Sequence, residues 1–444
     1  MPAADGKSSV TGASIFGLPE YRPHAAQFHS RLNRLIKHRR YADGTIYADS
    51  AFKLAHKLYA QTTALFNILS RAVDLDIALV PGVMQPWELD KKTPAAIVEA
   101  QALLYEWSGW DVGADDWLED GTETGEALLK IVPDVERGVV KILRLKPEHG
   151  YLCKHAQEGE VVDLLLVVDR AMSDEQGVTF EYAEAITPLE IRTYRNGEPH
   201  SYGGNPNRYP NPLGFVPAVP VKNDSECRPT FGKVMAQIDR VNEMASYLGD
   251  IIGRHAEPVW AAFGASKVEE AEKGGSVWYM PKEAKLQAIL AEIDVPGTLS
   301  FVESVKSEAK SALPELSFDD LRAKDQIATE TLEIQLIELD VKIWRMRRRY
   351  DAALVDAHRM AAAAAVAVGV DGLAPLLAPH SFDYKRPVRP VSEFDAIRLE
   401  EARLALKMQQ AMSSSESMSV AAPSLRNSEV EVDANEVDIE ESNA

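Results

Sequence analysis

The chain has 444 residues, of which 45% are hydrophobic, and its formal net charge is −20. This length predicts about three domains or substructures, and the acidic balance argues against a general nucleic-acid binder, because neutralising phosphates requires a basic surface. No stretch reaches the roughly 20 apolar residues of a membrane span, and residues 1–14 lack the basic and apolar regions of a signal peptide. The two cysteines, Cys153 and Cys227, match no metal-ligand spacing and are typical of a reducing compartment.

The first half of the chain is predicted to contain helices followed by a strand meander. A basic amphipathic segment spans residues 24–40, apolar residues at helical spacing predict one long helix from Ser50 to Leu79, and another helix is expected at 95–108. Between Gly125 and Tyr194 the hydrophobic period changes to two, and turn signals separate the runs, which indicates an antiparallel meander. The prolines of residues 203–223 exclude a regular helix or a central strand there.

The second half is predicted to be mainly helical. An amphipathic helix over 231–254 is followed by a compact unit at 259–293, which has strand-like runs around a charged turn of helix, and then by a helix over 297–313. Two helices that flank a small insertion indicate a hairpin with a protruding tip. A last helix is expected at 394–412, and the serine-rich, acidic composition of residues 413–444 is typical of a disordered tail.

A long helix is predicted to begin near Thr329 and to continue to about Val368, with two apolar faces and a cationic stripe. The first face carries Leu336, Leu339, Ile343, Met346 and Tyr350, the second Ile334, Ile337, Val341 and Trp344, and the stripe Lys342, Arg345, Arg348 and Arg349. We expect the first face in the core of the subunit and the second against a neighbouring copy, because side-to-side contacts that close generate a ring. The alternative from periodicity alone is a helix buried within a monomer, with its arginine side chains extended to solvent.

Sequence signatures of catalysis are missing. The chain has no GxxxxGK[ST] phosphate loop, no HExxH, no GxSxG and no GxGxxG, and its ten histidines do not pair at metal-ligand spacing on a helix. The pattern therefore predicts a protein that is not an enzyme and binds neither a metal nor a cofactor. A hidden acid–base pair among the many carboxylates stays open as an alternative, and it would require a concave pocket.

Several segments occur in a characteristic order. YADG follows the basic helix, GEALLKIV precedes the meander, and NPLGFVPAVPVKN precedes AQIDRVNEMASYLGDIIGRHAEPVWAAFG. SVWYMPKEAKLQAILAEI, LSFVESVKSEAKSAL, TETLEIQLIELDVKIWRMRRRYDAAL and YKRPVRPVSEFDAIRLEEARLAL follow. In this order and spacing the chain resembles the portal proteins of tailed bacteriophages, the head-to-tail connectors, of the siphophage type. The C-terminal tail lies outside the resemblance.

The resemblance implies a mainly helical α+β subunit that forms a ring, usually of twelve copies, at one capsid vertex, through whose channel DNA is packaged and ejected. Such subunits are divided into wing, stem, clip and crown. The implied division is a wing of helices and antiparallel strands (24–228), stem helix 1 (229–257), a small α/β clip (258–296), stem helix 2 (297–313), a channel or tunnel loop (314–328), a long wing helix (329–360) and a helical crown (361–412). The sequence itself predicts a flexible leader (1–23) before these parts and a disordered acidic tail (413–444) after them.

The resemblance also implies partners and candidate sites. The partners would be further copies of the chain, terminase, a head-completion adaptor, scaffold and major capsid protein, and double-stranded DNA in the channel, in the virion and, during assembly, in the host cytoplasm. The candidate cations of the DNA channel are Lys306, Lys310, Arg322 and Lys324. The candidate partner-binding residues of the clip are Glu269, Glu270, Lys273, Trp278 and Tyr279. The candidate subunit-interface residues are Ile337, Val341, Trp344, Arg345 and Arg349.

Each functional assignment has a purely structural alternative. The candidate channel cations could be solvated charges on the outer surface, and Trp278 could pack inside the tip of the hairpin. A rival function from another class is a monomeric helical scaffold or adaptor that binds other proteins through its long helices.

Overall fold

The computed structural model describes residues 14–82, 87–154, 162–174, 177–256, 295–316, 329–383, 386 and 388, together with short strands at 259–263, 269–270, 278–279 and 285–289. Of the described residues, those between 253 and 295 and between 329 and 336 are described by their backbone alone. Five predictions lie wholly or partly outside these residues: the first part of the leader, most of the clip with Lys273, the channel loop with Arg322 and Lys324, the helix 394–412 and the acidic tail.

The described residues form a mainly helical α+β fold, which confirms the predicted class. The helices are α1 (Ala25–Ala42), α2 (Ser50–Ala55), α3 (Leu69–Leu79), α4 (Ala95–Ser108), α5 (Trp110–Thr124), α6 (Met235–Ala256), α7 (Val295–Ser311) and α8 (Thr329–Val368). The strands are β1 (Glu126–Asp134), β2 (Val139–Leu145), β3 (Gly150–Lys154), β4 (Val162–Ser173), β5 (Thr179–Ile186), β6 (Glu190–Arg195), β7 (Glu198–Pro199), β8 (Arg208–Pro210), β9 (Ala218–Lys222), β10 (Val259–Phe263), β11 (Glu269–Glu270), β12 (Trp278–Tyr279) and β13 (Lys285–Ile289).

The predicted meander is antiparallel, as expected, but it is divided between two sheets. Strands β1 and β2 form a three-stranded sheet in the order β2-β1-β9, whereas β3 to β7 form a second sheet in chain order, with β8 paired to β6. The proline-rich segment before α6 supplies β9, whose Val219 pairs with Leu129 at the edge of the first sheet. This edge position agrees with a strand that contains Pro220.

The main core forms where α8 crosses α5 and the first sheet. On α8, Leu339, Ile343 and Tyr350 are completely buried, and the Tyr350 ring lies 5.0 Å from that of the equally buried Trp117. The Tyr350 hydroxyl donates a hydrogen bond to Asn223 Oδ1 at 2.8 Å, and Asn223 Nδ2 donates to the carbonyl of Gly121 at 2.7 Å. The first apolar face of the long helix therefore packs in the core, as predicted.

The predicted single helix from Ser50 to Leu79 is wrong in its middle third. Helices α2 and α3 are separated by residues 56–68, called the strap below, which are not helical. The strap lies along α6 and its polar groups bind that helix: the Phe66 N–H donates to Asn242 Oδ1 at 2.8 Å and the Thr63 N–H to Ser246 Oγ at 3.0 Å. These long-range hydrogen bonds satisfy the backbone without helix formation, so tertiary contacts override a weak local propensity.

The flexible leader predicted over residues 1–23 does not extend through residues 14–23. Ile15 is completely buried, and Phe16 packs on Phe28 of α1 with ring centroids 4.8 Å apart. The Ile15 N–H donates to the Glu181 carboxylate of β5 at 2.8 Å. Residues 14–23 therefore belong to the folded body, because they cover one face of the second sheet and α1.

Candidate functional site

Helix α8 keeps its second apolar face on the surface of the subunit. Ile337 is 54% exposed and Trp344 51% exposed, while Val341 between them is half-buried. Arg345 and Arg348 on the same side are exposed, and Arg349 is exposed with its guanidinium 3.2 Å from the carbonyl of Lys222. Two large apolar side chains at helical spacing beside exposed guanidiniums are typical of a surface that a second protein covers.

A groove of about 590 Å³ opens beside this face. One wall is α8, through Ile337, Val341 and Arg345, and the other walls are the segment before α6 and the end of α7. The groove thus lies where the predicted stem pair joins the body, and three of the five interface candidates line it.

The sequence pattern did not identify the buried arginine of α8. Arg347 donates through Nε to the carbonyl of Val80 at 2.9 Å, through Nη2 to that of Leu79 at 2.7 Å and through Nη1 to that of Arg386 at 2.6 Å. It therefore binds the last carbonyls of α3, which no helical N–H satisfies. Burial and the neighbouring Arg386 lower the pKa of Arg347 to about 10.

Tyrosines in and just after the YADG segment bind the first turns of α6, the first helix of the predicted stem. The hydroxyl groups of Tyr41 and Tyr47 donate to the two oxygens of Asp239 on α6, at 2.8 and 2.7 Å. Burial raises the pKa of Asp239, whereas these hydrogen bonds act in the opposite direction. Gly44 has a φ of +75° and a Cβ there would meet Ala64 of the strap, which explains the glycine that ends the turn.

The channel candidates that are described lie on α7, which packs against α6. Lys306 is half-buried, and its Nζ lies 4.7 Å from the centre of the Phe66 ring of the strap, a cation–π contact. Lys310, one turn further on, is half-buried. Exposed apolar side chains also occur on both helices, among them Tyr247 and Ile252 on α6 and Leu299 and Phe301 on α7.

The clip candidates occur on short strands at the expected tip. Strand β11 pairs with β12, so that Glu269 lies opposite Tyr279 and Glu270 opposite Trp278 in the backbone register. A second antiparallel pair, β10 with β13, brings the two ends of the predicted clip together. The structure therefore places four of the five clip candidates in one hairpin.

A buried ionic cluster, which the sequence pattern did not predict, joins α8 to α3 and to the turn after α7. The Lys342 ammonium contacts Asp76 Oδ2 of α3 at 3.0 Å and also the carboxylate of Glu315, which lies in the 3-10 turn Pro314–Leu316 after α7. Both carboxylates are completely buried. Lys342 thus lies at a junction and does not belong to a solvated cationic stripe.

A directed chain of hydrogen bonds links α4 to the segment after α8. His380 Nδ1 donates to the carbonyl of Ala378 at 2.8 Å, and in this tautomer His380 Nε2 accepts from His358 Nδ1 at 3.1 Å. His358 Nε2 in turn accepts from the Tyr105 hydroxyl at 3.1 Å. His358 is completely buried, and this burial together with His380 lowers the pKa of His358 to about 3.

We expect acid to destabilise the fold through His358. The pKa of this side chain is lower in the folded chain than its ordinary 6.5, so its stabilising effect is complete above pH 6.5 and is lost as the pH falls towards 3. Between pH 7 and pH 5 this one group should cost about 2 kcal/mol. The His358→Gln variant should show a flatter dependence of unfolding free energy on pH in urea titrations, whereas a change of the exposed His200 to Gln should not. An unchanged pH slope in His358→Gln would contradict the assignment.

No cluster of three or more His, Cys, Asp or Glu with metal-site geometry occurs in the part of the chain that the structure describes. Within the same residues, no helix combines the length and the apolar character needed to cross a membrane.

Comparison with known proteins identifies the family. The family model "Phage portal protein, SPP1 Gp6-like" matches residues 102–370, which is more than half of the chain and includes α5, both sheets, α6, α7 and α8. No curated protein matches. Among solved structures, a chain from "Virion of native gene transfer agent (GTA) particle" aligns over 77% of this chain and 85% of that chain, with 11% identity and a TM-score of 0.33. The chain therefore belongs to the phage portal protein family of the SPP1 Gp6-like type and is a component of the virion.

Proposed function

We propose that this portal protein forms a closed ring at one capsid vertex and that DNA is packaged and ejected through the channel of the ring. The observation that carries the proposal is the division of α8 into a buried and an exposed apolar face. In a single subunit Ile337 and Trp344 are about half exposed, although apolar groups of this size gain roughly 25 cal/mol for each Å² removed from water. A neighbouring copy that covers this face would use the groove beside it, and repetition of the contact closes a ring.

The proposed stem is the pair α6 and α7, with the clip between them and the channel loop after them. The two helices pack on each other, yet Tyr247, Ile252, Leu299 and Phe301 stay exposed on the pair. An isolated hairpin with this surface would be unstable against association, whereas hairpins side by side in a ring bury it. The crown and tail are proposed for 361–412 and 413–444.

The charge of the chain suits a conduit for DNA. Its formal net charge of −20 repels a duplex, so DNA would pass without adhering to the wall. The half-buried Lys306 and Lys310, with Arg322 and Lys324 of the proposed channel loop, would supply sparse and transient phosphate contacts. The chain would act without catalysis, cofactor or metal, and a separate terminase would supply the packaging motor.

The proposed partners beyond DNA dock outside the ring contacts. The clip residues Glu269, Glu270, Lys273, Trp278 and Tyr279 would contact terminase during packaging and the head-completion adaptor afterwards. Scaffold and major capsid protein would surround the ring at its vertex during assembly.

Mass photometry and negative-stain imaging of the purified chain test the proposal. Twelve copies of a 48.9 kDa chain would give a particle of about 590 kDa with a central hole. A monomer whose mass does not change with concentration, and no ring under any condition, would contradict the proposal and would support a monomeric scaffold or adaptor.

A further inference from the structure

Lys342, Asp76 and Glu315 form a joint between parts of the fold that are far apart in sequence. Asp76 belongs to α3 in the wing, Lys342 to the long helix, and Glu315 to the turn directly after the second stem helix. Thr230, five residues before the start of α6, donates its hydroxyl to the Asp76 carboxylate. The Lys342 ammonium therefore links α3 and the turn after α7 to the long helix, and Asp76 extends this cluster to the segment before α6.

The joint has one positive charge for two buried carboxylates. A buried ion is costly unless it is paired and hydrogen-bonded, and here Asp76 Oδ1 and Glu315 Oε2 have no hydrogen-bond partner among the described residues. One of the two carboxylates therefore has no matching positive charge, and removing either carboxylate would leave a balanced pair of Lys342 with the other.

The two carboxylates are held unequally. Asp76 accepts a hydrogen bond from Thr230 and forms an ion pair with Lys342. Glu315 is bound, among the described residues, by Lys342, and the turn that carries it leads directly into residues 317–328. Among the described residues Glu315 thus has one donor where Asp76 has two contacts, and Glu315 lies at the start of the proposed channel loop.

We infer that Lys342 is a positioning residue with two separable tasks: its pair with Asp76 secures the long helix to the wing, and its pair with Glu315 sets where the channel loop leaves the stem. The expected effect on DNA packaging rests on the proposed function. The geometry of the joint predicts its local effect in the isolated chain as well.

Two variants that each leave one balanced ion pair separate the tasks. Glu315→Gln keeps Lys342 with Asp76, and Asp76→Asn keeps Lys342 with Glu315, so the two variants are matched in charge. Lys342→Arg keeps both pairs and serves as the conservative control. Trypsin cleavage after Arg322 and Lys324, followed by peptide mass spectrometry under native conditions, reports how firmly the start of the loop is held.

We expect Glu315→Gln to accelerate cleavage at these two sites several-fold while its Tm stays within about 4 °C of the parent chain. Asp76→Asn and Lys342→Arg should leave this cleavage unchanged. In capsids assembled with terminase, Glu315→Gln should alter the amount of DNA packaged or retained, and Asp76→Asn should not. Equal cleavage in Glu315→Gln and Asp76→Asn, or a Glu315→Gln chain that fails to fold, would overturn the division of tasks.

The cleavage comparison needs no ring. If the parent chain forms no ring, the proposed function fails while the joint is still tested on monomers. If rings form and package DNA but cleavage after Arg322 and Lys324 is the same in all variants, the joint fails alone.

Discussion

The Gly121→Ala variant should lose about 3 kcal/mol of unfolding free energy, or more. A Cβ at this position of α5 would overlap the hydroxyl of Tyr350 and lie 2.9 Å from its Cζ. Tyr350 cannot move away at low cost, because its ring is completely buried and its hydroxyl is bonded to Asn223. The added methyl group therefore has to displace the long helix from α5, and urea denaturation of the variant measures the loss.

Gly113→Ala in the same helix is the matched control. A Cβ there meets only Trp110 Cε3 at 4.0 Å, an ordinary contact. Since alanine is a better helix former than glycine, this variant should be unchanged or up to about 1 kcal/mol more stable. Combining Gly121→Ala with Tyr350→Phe should recover part of the loss, because the hydroxyl that the methyl group overlaps is then absent. Equal stability of the two alanine variants would contradict the packing described at Gly121.

Replacing both Ile337 and Trp344 by Glu should convert rings into monomers. In the single subunit these side chains are about half exposed, so the substitutions should change the stability of the monomer by about 0.5 kcal/mol or less each. In the proposed ring they would bury charges without partners at the contact between copies, which is strongly unfavourable. Mass photometry should show loss of the large particle, with an unchanged circular dichroism spectrum.

Leu189→Glu is the control for this change of assembly. Leu189 is 83% exposed and lies in the turn between β5 and β6, outside the proposed interface set. Rings should therefore form with this variant as with the parent chain. Rings that persist with Glu at both 337 and 344 would show that the second apolar face of α8 is not the contact between copies.

The arginines of α8 are expected to contribute to the proposed contact between copies. Arg345 and Arg349 flank the exposed apolar groups, and in the proposed ring a neighbouring copy of a chain with net charge −20 would offer many carboxylates to them. Exposed pairs of this kind contribute little to affinity but set the register of a contact. Salt should therefore slow ring assembly more than it weakens assembled rings.

Several features of the fold were decided by tertiary contacts and could not be predicted from the sequence. The strap was predicted as helix from apolar spacing at residues such as Leu58 and Leu65, yet its backbone binds Asn242 and Ser246 on a helix about 180 residues further along the chain. Helix α5 was not predicted, because two glycines and many acids weaken its apolar period, and Gly121 is required only by the approach of Tyr350. Residues 14–23 show neither a helical nor a strand period, and only their burial against α1 and the second sheet shows that they are not a leader.

The sequence by itself determined the mainly helical α+β class, the antiparallel pairing of the meander and the two-faced character of α8, because hydrophobic periodicity records which side of one element is buried. It also carried the order of segments that indicates a portal protein. Periodicity contains no information about which distant polar groups meet. The capping of α3 by Arg347 and the joint of Lys342 with Asp76 and Glu315 connect residues far apart in the chain, so they were decided only when the folded path of the chain brought these groups into a common low-dielectric interior.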